Sequence, residues 1–128
     1  MVPSKIQLHK RSKCLELHFG DQAYTLSAEY LRVHSPSAEV KGHGPGQEVL
    51  QTGKRDVGIT NLEGVGNYAL RPTFDDGHDS GIFTWEYLYR LASDRETMWD
   101  TYLAKLHEAH QTRDPDTQGV RLMDPNGT

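Results

Sequence analysis

The stretch from Asp56 to Leu91 constrains the fold most, because short apolar runs alternate in it with turn-forming residues. In its first run Val57 and Ile59 fall on one face, which is the period of a half-buried strand. Residues 64–67, GVGN, predict a turn, since glycine and asparagine tolerate positive φ. A second alternating run ends at Phe74, so two antiparallel strands are predicted before the chain reverses again.

The second half of this stretch predicts a third strand and a helix. Pro72 lacks an N–H group, so its strand should lie at a sheet edge there. Residues 75–78, DDGH, predict a tight acidic turn with a histidine beside it. A strand closing with Ile82 and Phe83 follows, and Thr84 can cap a helix whose apolar residues recur at helical spacing. Those apolar residues are Trp85, Leu88 and Leu91.

The N-terminal residues predict a three-stranded meander. Residues 5–19 alternate apolar and polar side chains on either side of the basic tip KRSK, and residues 22–26 extend this hairpin. Ser27 is the predicted N-cap of a short helix, which must end before Pro36 because the residue preceding a proline disfavours helix. Residues 34–47, HSPSAEVKGHGPGQ, are predicted to form an ordered or functional loop without a regular element.

A second C-terminal helix is predicted to begin at Ser93, where Glu96 completes a capping box. Packing of this helix on the sheet is favoured over a partner-binding groove, because the sheet otherwise lacks a cover. The apolar stripe of this second helix is Trp99, Tyr102, Leu103 and Leu106.

Residues 1–111 form the predicted single domain, and the polar residues 112–128 are predicted to form a disordered tail.

The predicted fold class is therefore α+β. We expect an antiparallel β-rich sheet of hairpins, with a short helix after the first meander. Two C-terminal helices are expected to cover the sheet.

Composition narrows the class of protein. The single cysteine, Cys14, excludes an internal disulfide and a CxxC zinc site, and a lone thiol fits the reducing cytoplasm where we expect the protein to reside. No stretch stays apolar over the roughly 18 residues that a membrane span needs. With a net charge of −4 the chain has no general electrostatic reason to bind nucleic acid. A protein partner is expected instead.

No catalytic constellation emerges from the residues, so the chain is predicted not to be an enzyme. His78, Asp79 and Ser80 have the residue types of a nucleophilic triad, but neighbours in an extended chain point to opposite faces and cannot form its proton relay. His107 and His110 fall one residue short of the HExxH spacing of zinc ligands. Histidines in a last helical turn more often complement the helix dipole.

The acidic turn offers one candidate metal cluster. Asp75, Asp76, His78 and Asp79 lie close in sequence, and His34 and His43 in the loop of residues 34–47 are potential distant partners. Imidazole and carboxylate suit zinc or iron(II). However, aspartates in a DDG sequence are ordinary turn formers, and a histidine beside a turn is usually hydrogen-bonded. Both interpretations stay open.

Two phrases of the chain resemble a known family. They are LRVHSPSAEVKGHGPGQ, residues 31–47, and LEGVGNYALRPTFDDGHDSGIFTWEYLYRL, residues 62–91. With the preceding hairpin, and over roughly residues 5–92, they are similar to the N-terminal domains of gamma-butyrobetaine hydroxylase-like proteins. The resemblance implies an antiparallel β-rich domain with short helices, of unknown function when it stands alone. In the hydroxylases a separate catalytic domain with iron and 2-oxoglutarate follows, and this chain is expected to lack it.

The resemblance also implies a metal site and a kind of role. The hydroxylase domain holds zinc with three cysteines after the short helix and one histidine after a turn. The histidine matches His78, whereas Ser35, Ser37 and Val40 occupy the cysteine positions, and these side chains cannot replace thiolates. Related domains occur fused to P-loop ATPases that handle iron–sulfur clusters, which implies an adaptor role rather than catalysis.

Two hypotheses of function result. The first is a non-catalytic binding or adaptor domain, whose contact surface combines residues 34–47 with His78 and with Arg32, Asn67, Tyr68, Asp76 and Trp85. The alternative is a zinc- or iron-binding protein that uses His78, His43 and His34, with a link to iron–sulfur cluster handling. No other cofactor is expected.

Overall fold

The computed structural model describes residues 1–115, which form two three-stranded antiparallel sheets and four helices. The α+β class and the antiparallel pairing agree with the prediction. The first sheet consists of β1 (Lys5–His9), β2 (Cys14–Phe19) and β3 (Gln22–Ser27), and the second of β4 (Ile59–Val65), β5 (Ala69–Phe74) and β6 (Phe83–Thr84). The helices are α1 (Ala28–Val33), α2 (Ala38–Lys41), α3 (Trp85–Ser93) and α4 (Arg95–Glu108).

The first sheet is the predicted meander, with strand order β1-β2-β3. Alternate residues of β2, namely Leu15, Leu17 and Phe19, are buried, as the period of the sequence indicates. At the basic tip, Lys13 has a positive φ of 57°. Its ammonium donates to the Asp56 carbonyl at 2.8 Å, so the tip of the first sheet is tied to the chain that leads into the second.

Helix α1 follows the first sheet without a loop and is buried along its whole length. The Ser27 hydroxyl accepts a hydrogen bond from the Tyr30 N–H at 3.0 Å, which confirms the predicted N-cap. The Tyr30 hydroxyl donates to the Leu91 carbonyl at 2.7 Å. This bond joins α1 to α3 across the interior.

The second sheet has β5 at its centre and differs from the prediction at the first turn. Val65 pairs with Ala69, so β4 continues through residues that were predicted to turn. The reversal is shorter and uses Gly66, whose φ is 52°. Strand β6 pairs with only the first two residues of β5, which leaves Pro72 beyond its end. The missing N–H of Pro72 therefore falls at a locally open edge, as predicted.

The second turn and the cap of α3 follow the prediction. The Gly77 N–H donates to the Phe74 carbonyl and the Phe74 N–H to the His78 carbonyl, both at 2.9 Å. Gly77 has a φ of 93°, which glycine adopts readily. The Thr84 hydroxyl then accepts from the Tyr87 N–H at 3.1 Å and caps α3.

Two local predictions were wrong. The loop of residues 34–47 contains a regular element, because residues 38–41 form the single turn of α2. The capping box at Ser93 does not form, since Ser93 is the last residue of α3 and its hydroxyl donates to the Arg90 carbonyl at 3.4 Å. Asp94 takes the position between the two helices instead, and its side chain makes no capping bond.

The core has a large and a small part. The large cluster joins both sheets to α1 and α3, and its fully buried side chains include Leu17, Leu31, Phe74, Phe83, Leu88 and Leu91. The small cluster contains Tyr102 and Leu106 of α4, packed on Val33 of α1 and on Leu50. The apolar stripe of α4 is thus used for core packing, as favoured from the sequence, although much of it covers α1 and residues near 50 rather than a sheet.

Residues 112–114 pair with the body of the protein. The Thr112 and Arg113 carbonyls accept from the Gly53 and Arg55 N–H groups at 3.0 and 2.9 Å. The Arg113 guanidinium donates two hydrogen bonds to the buried Glu29 carboxylate, each at 2.7 Å. The predicted tail therefore starts as an attached segment, and residues 116–128 of that prediction lie outside the described residues. No helix within residues 1–115 has the length and apolar character needed to cross a membrane.

Candidate functional site

His78 lies at the centre of a buried polar cluster, where the turn after β5 meets the segment between α1 and α2. Its Nε2 lies 2.8 Å from the Ser35 hydroxyl and 3.4 Å from the Ser37 hydroxyl. Its Nδ1 lies 3.2 Å from the Glu39 carboxylate. The cluster joins residues about 40 positions apart in the sequence.

The surroundings of His78 favour the neutral imidazole. Burial lowers the pKa of His78, and the positive charge of Arg32 lowers this pKa further. A carboxylate can only accept, so Glu39 favours the ring proton on Nδ1. Nε2 is then free to accept a hydrogen bond from the Ser35 hydroxyl.

The order Ser35, His78, Glu39 is that of a nucleophile, a base and an orienting carboxylate. Ser35 is only 2% exposed, and Gly81 packs directly against its hydroxyl. A substrate carbonyl has no room to reach this oxygen, so the arrangement is suited to holding the α1–α2 segment in place. The Ser80 hydroxyl donates to Glu39 at 2.9 Å and not to His78.

The zinc site implied by the family resemblance does not fit these residues. Ser35 and Ser37, at two of the cysteine positions, face the His78 nitrogen with hydroxyl groups, and Val40 at the third is a buried isopropyl group. Neither group supplies the thiolate that such a zinc site uses. Within residues 1–115, no three histidine, cysteine or acidic side chains are grouped so that they could hold a metal ion.

The other two histidines predicted as metal ligands lie apart from this cluster. His34 and His43 line a cavity whose lining does not include His78. The His34 Nδ1–H donates to the Tyr30 carbonyl at 2.8 Å, and its ring lies 4.7 Å from the Tyr30 ring centroid. Burial lowers the pKa of His34, although the bond to Tyr30 opposes that shift. Metal binding by these three histidines stays a prediction.

The predicted partner-binding residues fall into two groups. Arg32 and Asp76 form an ion pair at 2.9 Å, and Lys54 reaches the same carboxylate at 2.5 Å. Burial by itself would raise the pKa of Asp76, but hydrogen bonds from Lys54 and the His78 N–H, together with Arg32, lower it to about 2. These two predicted contact residues are therefore already engaged inside the protein.

The second group lies at the other end of β5. The Trp85 indole N–H donates to the Asn67 carbonyl at 2.8 Å, and the neighbouring Tyr68 side chain is exposed. Six strand residues at about 3.3 Å each separate this group from the turn that holds Asp76, or about 20 Å. The structure therefore divides the predicted contact surface into two separate regions.

A cavity of about 970 Å³ lies between the loop after α2 and helices α3 and α4. Three basic side chains, Lys41, Arg90 and Lys105, lie on it and are exposed to solvent. Sequence reasoning missed Arg90 and Lys105, because the cavity is assembled from three elements and no local pattern marks it. Its apolar lining includes Val33, Val40, Leu50, Tyr87, Met98 and Tyr102.

Comparisons with known proteins place these observations in a family. The model of the family described as gamma-butyrobetaine hydroxylase-like, N-terminal, matches residues 6–89. Two proteins with NMR solution structures are similar along most of their length. One is 57% identical, with 95% of this chain and 97% of the other covered and a TM-score of 0.80. The second is 47% identical, with 89% and 86% covered and a TM-score of 0.75.

A crystal structure of a protein of unknown function from Acidithiobacillus ferrooxidans is also similar. That protein belongs to the DUF971 family and is 37% identical to this chain. The likeness covers 70% of this chain and 91% of the other, with a TM-score of 0.59. Comparison with functionally curated proteins gave no match.

Proposed function

The chain belongs to the gamma-butyrobetaine hydroxylase-like N-terminal family, and from this premise we propose that it is a non-catalytic binding domain that docks a protein partner. The cavity between the loop after α2 and helices α3 and α4 carries this proposal. Its volume of about 970 Å³ lies at the upper end of the range of ligand pockets. Its lining combines apolar side chains with polar and charged groups, as the linings of binding sites do.

The cluster around His78 supports a non-catalytic role. The one nucleophile-like hydroxyl in it, Ser35, is buried and packed against Gly81. Its hydrogen bond to His78 fixes the segment that leads into α2. This segment continues into the loop that borders the cavity, so the cluster positions the proposed binding surface.

Two predicted features stay outside this proposal. Metal binding through His78, His43 and His34 can be tested by elemental analysis of untagged protein purified without chelator. Stoichiometric zinc or iron that is lost in both His78→Ala and His43→Ala would favour it. Binding at Asn67, Tyr68 and Trp85 is a second candidate contact region, which the following experiment also tests.

Site-specific photocrosslinking in living cells tests the proposal. A photoreactive residue at Val49, which is exposed and lines the cavity, is expected to capture a discrete partner protein. The same residue at the exposed Val2, outside the cavity lining, is the matched control. Capture at Tyr68 but not at Val49 would show that the partner binds at the other end of β5, near Asn67 and Trp85. Equal, diffuse labelling at all three positions would contradict a partner-binding role.

A further inference from the structure

Three basic side chains converge on the cavity from three different elements. Lys41 is the last residue of α2, Arg90 lies in α3 and Lys105 lies in α4. They are separated by 15 or more positions in sequence, so their convergence results from the fold. A ligand in the cavity would meet positive charge on several sides.

These three cations are not used for ion pairs within residues 1–115. None of them lies within 4.0 Å of a carboxylate there. Glu48 and Asp94 also belong to the lining, so the cavity carries three basic and two acidic groups. A net positive cavity on a chain with a net charge of −4 is a local reversal of charge. Outside the cavity, five basic residues pair with carboxylates, namely Arg32, Lys54, Arg55, Arg71 and Arg113, whereas Lys5, Lys10, Arg11, Lys13 and Arg95 form no such pair within residues 1–115.

One of the cations is positioned by the cavity wall itself. The Lys41 ammonium lies over the Tyr87 ring, 5.9 Å from its centroid, at the distance of a cation–π contact. The Tyr87 hydroxyl donates to the His34 carbonyl at 2.6 Å, which fixes the ring. Lys41 is thus held near the cavity, with its N–H groups available to an acceptor.

The floor of the cavity suits an apolar group. Val33 and Val40 are buried beneath it, and Leu50 and Met98 are partly exposed along it. The loop after α2 begins at Gly42, which has a φ of 74° and where a Cβ would collide with the backbone of Gln47. Apolar walls below a cationic rim recognise a ligand that is both apolar and anionic.

We infer that the cavity binds an acidic peptide segment of the partner, with its carboxylates on Lys41, Arg90 and Lys105 and an apolar side chain on the floor. The inference rests on the proposed function and names the chemistry of the partner. A nucleic acid would bring a continuous negative charge against an acidic protein, whereas a short acidic segment meets only the positive rim. Charge complementarity therefore selects the peptide.

Selection from a phage-displayed random peptide library tests the inference. Peptides selected on the wild-type protein are expected to be enriched in aspartate and glutamate beside an aliphatic or aromatic residue. These peptides are expected to bind the variant Lys41→Gln/Arg90→Gln/Lys105→Gln about tenfold more weakly than the wild type. Their affinity for the wild type is expected to fall as the salt concentration is raised. Shifted amide resonances in NMR spectra should lie around the cavity.

The matched control is Lys5→Gln/Lys10→Gln/Arg11→Gln, which removes the same charge outside the cavity lining and should bind the peptides like the wild type. If the cavity variant does not fold, the single exposed change Lys105→Gln replaces it.

Selected peptides without acidic enrichment, or equal binding to both triple variants, would overturn the inference. If the inference is overturned but the photoreactive residue at Val49 still captures a partner in cells, the proposed function stands. Only the inference that the partner segment is acidic is then wrong. Acidic peptides that bind in the cavity, with no capture at Val49, would instead support the inference and contradict a cellular partner.

Discussion

The residue at position 81 must be glycine, because neighbouring side chains leave no space for a Cβ atom. A Cβ there would collide with the Ser35 hydroxyl and approach Pro36 Cδ at 3.3 Å. The change Gly81→Ala is therefore expected to displace Ser35 from His78 and to lower the free energy of unfolding by about 1–3 kcal/mol. Urea unfolding measures this difference.

The control for this change is Gly64→Ala. A Cβ at Gly64 meets nothing within 4 Å, while the substitution has the same effect on the entropy of the unfolded chain. The stability of this variant should stay within about 0.5 kcal/mol of the wild type. Equal stability of the two variants would mean that the cluster around His78 yields to an added methyl group.

The Asp76 carboxylate should contribute to the pH dependence of stability in acid. Its pKa falls from 3.8 to about 2 on folding, because the bonds from Lys54 and the His78 N–H, with Arg32, outweigh the opposing effect of burial. A lowered pKa stabilises the folded state above about pH 4, and this stabilisation is lost as the pH falls towards 2. Asp76→Asn should therefore be less stable at pH 7 and lose less stability between about pH 5 and pH 2.

Glu16 provides an internal reference for this experiment. Hydrogen bonds from His18 and His9 lower its pKa to about 2 as well, so it titrates in the same range in both proteins. The difference between the two urea-unfolding series against pH thus isolates Asp76. Parallel curves for wild type and Asp76→Asn would show that the ion pair with Arg32 contributes no pH-dependent stability.

Residues whose partners lie within one turn could be predicted from the sequence, and residues with distant partners could not. Ser27 and Thr84 cap helices by bonding to an N–H group three residues ahead, so their role is visible locally. Ser93 carries the same local signal but is the last residue of α3, so a local signal alone does not locate this helix boundary. The contact of Ser35 with His78 spans 43 positions, and only the family resemblance placed the two residues in a common site.

At the scale of elements, the segment of residues 112–114 acts as a clasp on α1. Glu29 is a buried carboxylate in the first turn of that helix, and Arg113 provides both of its charged hydrogen bonds. Arg113→Ala would leave this buried charge without its partner, and since Arg113 is itself partly exposed we expect a loss of about 1–3 kcal/mol in unfolding free energy.

A neighbouring ion pair supplies the control for the clasp. Arg55 pairs with Asp114, but both side chains are largely exposed, so Arg55→Ala should change stability by no more than about 0.5 kcal/mol. Its backbone bond to the Arg113 carbonyl is retained in this variant. Thermal and urea unfolding of the two variants should separate them clearly. Similar losses of stability in Arg113→Ala and Arg55→Ala would indicate that the unpaired charge of Glu29 does not cause the destabilisation.

At the scale of the whole molecule, the large core cluster predicts a single unfolding transition. It contains residues of both sheets and of helices α1 and α3, so neither sheet can lose its packing without exposing the other. Trp85 and Trp99 report from two regions, the start of α3 and the stripe of α4. The single-tryptophan variants Trp85→Phe and Trp99→Phe should each unfold with coincident fluorescence and far-UV circular dichroism transitions. An earlier fluorescence transition for Trp99 alone would make α4 an independent unit.

The order of the strands also has a consequence for synthesis of the chain on the ribosome. The first sheet uses only residues 5–27, so its hairpins can pair while the rest of the chain is being made. Helix α1 follows immediately, but the Leu91 carbonyl that accepts a hydrogen bond from the Tyr30 hydroxyl, and the α3 residues of the same core cluster, come about 60 positions later. At roughly 5–20 residues per second, the apolar side chains of α1 lack these α3 partners for about 3–12 seconds. Chaperone binding to the nascent chain is therefore expected in that interval.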